Sequence, residues 1–209
     1  MTTAQESRWI NHTLEERYRI DEHLDDAGVG MLFRGFDLSS EHDVSIRLFA
    51  PQPELASDEA QMLRELEALQ QKSMAHPSLA ELLTSGIAEK HVYTVSEWPH
   101  GMRLADRMHL HGKLLLEEFV PLAVELLKPI GHAHSRGIAH GDLGPDTISL
   151  GPVKILDHGF APAAVASGFI SPLDASRTPA PEQLNGQPAD PLSDVYALGV
   201  LFFYLLSGH

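Results

Sequence analysis

At Pro99-His100-Gly101 the spacing of apolar residues changes period, and that change limits the possible folds more than any other feature of the chain. Before it, over residues 18–48, apolar residues alternate with polar ones between turn formers (Asp25, Gly28, Gly30, Gly35, Ser39, Ser40), the pattern of three antiparallel strands. Residues 58–71 then place Met62, Leu63, Leu66 and Leu69 on one helical face, with Ser57 or Asp58 positioned to cap the first turn. His76-Pro77 interrupts that helix, and residues 82–87 and 91–97 read as two further strands. The first half is therefore β-β-β-α-β-β. After the break the pattern is helical, briefly at 104–109 and at length over 117–135. Pro121 and Pro129 fall inside the longer stretch, which predicts a helix starting near Pro121 and kinked or broken at Pro129. Two short strands (148–150 and 153–156), a loop rich in Ala, Pro and Ser, and a last helix over 194–206 complete the order. Residues 1–17 read as a polar leader with a short helix.

Charge excludes whole classes of function. Fifteen Lys and Arg stand against 29 Asp and Glu, for a net charge of −14, the opposite of what a phosphate-tracking nucleic-acid binder or an anionic membrane surface requires. With no cysteine there is no disulfide, thiolate zinc site or cysteine nucleophile. Residues 1–19 lack the apolar core of a signal peptide, and the longest apolar run, 195–206, is too short to span a bilayer. A cytoplasmic protein is the expectation. Thirteen histidines invite a metal site, but His132-x-His134 and His109-x-His111 lack the i, i+4 spacing of a metal-binding helix face.

Function is carried by short motifs in a fixed order. His140-Gly141-Asp142-Leu143-Gly144-Pro145-Asp146-Thr147 resembles the catalytic loop of protein kinases, H-R-D-L-x-P-x-N, and Asp157-His158-Gly159 resembles the metal-binding D-F-G. Ala180-Pro181-Glu182 matches the A-P-E that closes the activation segment, and residues 193–200 resemble the start of the buried helix that follows it. Val44-Ser45-Ile46-Arg47 sits where V-A-I-K belongs, and residues 24–37 take the place of the glycine-rich strand-turn-strand. Any one of these arises by chance; the ordered set over residues 18–209 identifies a kinase-like fold, similar to bacterial Hanks-type serine/threonine kinases. The resemblance implies an α+β bilobal architecture: an N-lobe at 18–98 with a five-stranded antiparallel sheet and one helix, and a mostly helical, truncated C-lobe at 99–209, after the N-terminal extension 1–17.

The same resemblance implies roles, and many have changed hands. Phosphoryl transfer depends on positioning and on positive charge around the triphosphate. Of the phosphate-loop glycines only Gly30 stays in register, with Asp25 and Ala27 at the others and Asp26 adding negative charge. Arg47 replaces the phosphate-binding lysine, a wide planar fork for a compact ammonium; its expected helix partner is Glu65, with Glu67 as rival. Asp142 holds the position of the catalytic base. Gly144 replaces the loop lysine, Thr147 the metal-binding asparagine and Gly141 the loop arginine. Asp157 keeps one carboxylate for magnesium, should nucleotide bind. Ser45 and Ser149 soften the adenine sandwich. His158, in place of the D-F-G phenylalanine, reads either as a pH-sensitive group or as a neutral, hydrogen-bonded core histidine. Arg177-Thr178-Pro179 runs almost directly into Ala180, which leaves little floor for a peptide substrate.

These substitutions imply a pseudokinase, a regulatory or scaffolding module in signalling that requires no cofactor; the alternative is an atypical ATP- and magnesium-dependent kinase relying on Asp142 and Asp157. The resembled domain continues beyond the last helix. Glu182 should therefore be exposed or find a new cation, and the helix, apolar all round, should associate with itself or a protein partner through residues 195–206.

Overall fold

The computed structural model describes residues 8–25, 29–72 and 75–209; Asp26 and Ala27, and the side chain of Asp25, lie outside what it describes. Six antiparallel strands form the N-lobe sheet: β1 (Thr13–Leu14), β2 (Tyr18–Asp25), β3 (Met31–Asp37), β4 (His42–Phe49), β5 (Leu82–Ala88) and β6 (His91–Glu97), in the order β1-β2-β3-β4-β6-β5. Five were expected. The sixth comes from the supposed polar leader, whose residues 8–17 form turns and a strand rather than a helix. Trp9 and Leu14 explain why. Both are buried with Tyr18, Ile20, Phe33 and Ile46 on one face of the sheet, and Asn11 and His12 exchange backbone hydrogen bonds with Ile20.

The opposite face carries helix α1 (Glu59–Gln71), capped by Asp58, whose Oδ1 accepts from the Gln61 amide at 2.8 Å. Met62 and Leu66 are its buried residues. The C-lobe contains α2 (Leu104–His111), α3 (Leu116–His134), a small sheet of β7 (Met102–Arg103), β8 (Ile148–Leu150) and β9 (Lys154–Ile155), then α4 (Phe160–Ala166), α5 (Pro181–Leu184) and α6 (Pro191–Ser207). Helix α3 starts at Leu116, before Pro121, and runs unbroken through Pro129. The carbonyls that the two prolines leave without an i+4 donor belong to Glu117 and Glu125, both exposed, where water can serve them.

Asp190 caps α6 by accepting from the amides of Leu192 and Ser193, and Gly208 closes it in the left-handed region (φ 84). The helix buries Ala197, Leu198, Leu201 and Leu205 against α2, α3 and β8. Its other side is exposed: Leu192 at 72%, Phe203 at 65%, with Val195, Tyr196 and Leu206 beside them. Among the described residues no helix is long and apolar enough to cross a membrane.

Helix α4 was not expected. Its Phe160, Ala161 and Ala164 are buried with Met62 and Leu66 of α1, so the segment after Gly159 packs beneath that helix. Pro162 is tolerated because it lies in the first turn, where its missing N–H has no intrahelical acceptor to lose.

Candidate functional site

The loop 140–147 hangs from one carboxylate. Asp194, 1% exposed near the start of α6, accepts from the His140 amide (2.7 Å), the Gly141 amide (3.0 Å) and His134 Nε2 (2.8 Å). The ring of His140 bridges the Leu156 carbonyl (2.9 Å) and the Asp142 amide (3.2 Å), so its Nε2 donates and its Nδ1 accepts. Gly141 adopts φ 83, and a Cβ there would lie 2.6 Å from Pro162. Glycine at the arginine position therefore lets α4 close down on the loop. Asp194 was missed as a site residue in the sequence, although an aspartate opening a wholly apolar helix was its signal.

Arg47, 5% exposed, does not meet Glu65. Its Nη1 donates to the carbonyls of Val29 (2.9 Å) and Gly30 (3.2 Å), and its Nη2 forms an ion pair with Asp157 Oδ2. Glu65 is exposed at the rim of α1. The cause is packing: the inner face of α1 is occupied by the apolar contacts of Met62 and Leu66 with Phe160 and Ala164, leaving the guanidinium to the nearest carboxylate below. Asp157 is held at φ 57, a left-handed conformation uncommon outside glycine and best tolerated by Asp and Asn. Gly30 is also left-handed (φ 83), with its carbonyl engaged by the arginine.

Asp142 is 7% exposed and accepts at Oδ1 from the Arg177 amide at 3.1 Å. Burial pushes its carboxyl above the usual carboxylate range, opposed by that amide. The Arg177 side chain in turn pairs with Asp146, tying the activation segment across the loop. Sequence reading gave Arg177 no such role. The Thr147 hydroxyl, at the metal-ligand position, is engaged with the amide (3.1 Å) and carbonyl (3.0 Å) of Gly144.

Between Arg47, Asp142, Thr147 and Asp157 the remaining cavity is about 10 Å³, room for roughly one water. A magnesium–triphosphate group does not fit these residues as arranged. One candidate metal carboxylate is held by a guanidinium, the hydroxyl is taken up locally and the space is filled. Among the described residues no cluster of three His, Asp or Glu side chains could hold a metal ion.

Neighbouring positions follow the same trend. His158 is 9% exposed and packs edge-on to His140, ring centroids 5.1 Å apart. Burial pushes its pKa down to about 3, with the nearby His140 adding to the effect, so the ring is neutral. The Ile138 carbonyl partly offsets this, but neither ring nitrogen has a partner in hydrogen-bonding geometry among the described residues. It is a neutral core histidine, without the hydrogen bond expected of one. Ser149 is fully buried and its hydroxyl likewise lacks a partner among the described residues, while Ser45 is half-buried. Glu182 is half-buried and, among the described residues, pairs with no cation: it accepts from the Ser193 hydroxyl at 2.5 Å.

An antiparallel sheet with one helix, a helical lobe, and between them a loop carrying Asp142 opposite Asp157 define a bilobal kinase-type fold. Comparison with known proteins agrees. The family model for the protein kinase domain matches residues 18–209, and the chain belongs to that family. Among relatives, a probable serine/threonine-protein kinase PknB of Lactococcus lactis is 29% identical over 207 residues, covering 95% of this chain and 33% of its own. PknB of Mycobacterium tuberculosis is 28% identical over 208 residues, covering 93% of this chain and 33% of its own, and the chain therefore spans about a third of the length of each. The crystal structure of the Mycobacterium tuberculosis PknI kinase domain superimposes with a TM-score of 0.73 at 19% identity, covering all of this chain and 78% of that one, a likeness of fold.

Proposed function

We propose that this chain is a pseudokinase, a non-catalytic regulatory or scaffolding module of cytoplasmic signalling that acts by binding protein rather than by transferring phosphate. The observation that carries this reading is the Arg47–Asp157 ion pair. The residue placed to hold phosphate and the residue placed to hold magnesium neutralise each other, both largely buried, with side chains 6% and 18% exposed. Opening the site for nucleotide requires parting them, and a buried pair resists this: leaving either partner uncompensated costs about 3–5 kcal/mol. The Arg177 amide on Asp142 adds a second closure, because a hydroxyl substrate would have to displace the activation segment.

The partner surface in this reading is the exposed side of α6, where Leu192, Val195, Tyr196, Phe203 and Leu206 form an apolar strip along the helix. Contiguous apolar surface of this kind marks interaction sites. Phosphotransfer to a generic basic substrate protein with labelled ATP is the direct test. Incorporation no greater than in an Asp142→Ala variant is expected, and incorporation that this variant abolishes would overturn the reading.

A further inference from the structure

The β4–α1 connection (50–58) and the segment that follows α4 (167–174) are joined to each other. The Ser57 hydroxyl donates to the Gly168 carbonyl (2.7 Å) and the Asp58 amide to the Ser167 carbonyl (2.9 Å). Gly168 is left-handed (φ 69), and a Cβ there would lie 2.5 Å from the Leu55 carbonyl oxygen, so only glycine permits so close an approach. Beside this junction, walled also by the start of β3 and the end of β4, is a groove of about 540 Å³. That is enough for a small ligand or for one or two side chains of a peptide. Its floor is apolar: Phe49 and Phe169 are buried, Met31 and Ile170 half-buried, and Leu55 is 41% exposed at the edge. Arg47, Asp142, Thr147 and Asp157 do not line it, nor does any residue of α6. It is distinct from the phosphate face and from the apolar strip of α6.

Charge selects the occupant. Glu54 and Asp174 are exposed lining residues, and among the described residues neither forms an ion pair. Asp174 Oδ2 accepts from the Ser171 hydroxyl at 2.5 Å, a neutral partner that leaves the charge uncompensated. No Lys, Arg or His lines the groove, and residues 48–63 and 159–176, which supply most of its walls, contain no basic residue at all. A second copy of this chain, with its net charge of −14, has the wrong sign for such a rim, as does any anion. The complement of an apolar floor under two unpaired carboxylates is a peptide with a large apolar side chain next to Arg or Lys. Exposed ion pairs contribute little by themselves, so both parts of the match are needed.

We propose that this groove docks a short basic segment of a partner protein, its apolar side chain against Met31, Leu55 and Ile170 and its cations paired with Glu54 and Asp174. The docked segment touches the β4–α1 connection and the activation segment together, and so braces their junction at Gly168. Docking here is independent of whether the chain transfers phosphate.

The test is calorimetric titration of the full chain with three capped peptides: GRWRG, its acidic counterpart GEWEG, and GRGRG, which lacks the apolar anchor. Saturable binding of GRWRG is expected, about tenfold tighter than either comparator and weakening as salt is added. The double variant Glu54→Gln, Asp174→Asn should lower that affinity about tenfold and flatten its salt dependence, and Leu55→Ser should lower it about threefold. Glu117→Gln with Glu125→Gln, which removes the same charge from exposed positions on α3, should leave it unchanged, as should Phe203→Ser on α6. No saturable binding at millimolar GRWRG would overturn the proposal, and so would equal affinity for either comparator. An equal loss in the α3 variant would also overturn it, by tracing the attraction to the overall charge of the chain. A loss in Phe203→Ser would do the same by placing the peptide on α6.

Discussion

Asp194 and Asp157 are both carboxylates held close to the loop 140–147, yet their charges are met in different ways. Asp194 is satisfied by the fold itself, through the backbone amides of His140 and Gly141 in the loop it supports and the ring of His134 at the end of α3. Asp157 is neutralised by one side chain from the other lobe, 110 residues away in sequence. The first arrangement needs no ligand and is a condition of the C-lobe's shape. The second occupies both groups that a magnesium–phosphate would use. On the function proposed above, a kinase scaffold keeps its shape while its phosphate site becomes an internal ion pair, because different residues carry the two tasks.

The most damaging way to break this comparison is Asp194→Ala. Two backbone amides would lose charged hydrogen bonds in a buried setting, at about 1.5–3 kcal/mol each, with the His134 contact in addition. A loss on the order of 5 kcal/mol is expected, comparable to the whole stability of a marginal domain, and denaturant unfolding would measure it. Arg47→Ala should cost less, about 3 kcal/mol, since Asp157 keeps some access to water; an Arg47→Met, Asp157→Asn double variant should recover most of that loss.

Acid sharpens the contrast through His158. Its pKa in the fold lies well below the 6.5 of the free group, so below pH 6.5 the unfolded chain takes up a proton that the native state does not. Stability is then lost as pH falls from 6.5 toward the folded pKa, by about 1.4 kcal/mol per pH unit for one proton. His76, also pushed down by burial, adds a smaller term of the same sign. Chemical denaturation at pH 7 and pH 5 should show a smaller difference in His158→Phe than in the wild type. The smallest effect is expected from Glu65→Ala, within about 0.5 kcal/mol, because the residue is exposed and the guanidinium it was expected to hold is bound elsewhere.

Much of the fold could be read along the chain because strands β2 to β6, helix α1 and the apolar body of α6 carry long periodic patterns, and the ordered motifs set their sequence. What escaped had little local signal. Strand β1 is two residues long, and only Trp9 hinted that the leader was packed. Helix α4 hides in an Ala- and Pro-rich stretch whose helicity comes from burial under α1. The positions of Asp142 and Asp157 were legible from their motifs, whereas the partner of Arg47 was not. That choice depends on which face of α1 is filled from below, a contact between segments about 100 residues apart.

The account stands on the Arg47–Asp157 pair excluding nucleotide, and a thermal-shift titration with ATP, with and without magnesium, tests it most directly. Asp157→Asn is the control that removes the metal carboxylate while preserving shape. A ligand at 100 times its dissociation constant raises stability by about 2.7 kcal/mol, several degrees for a chain of this size. No shift at millimolar nucleotide is predicted. A magnesium-dependent shift that disappears in Asp157→Asn would contradict the account and return the chain to the nucleotide-binding kinases.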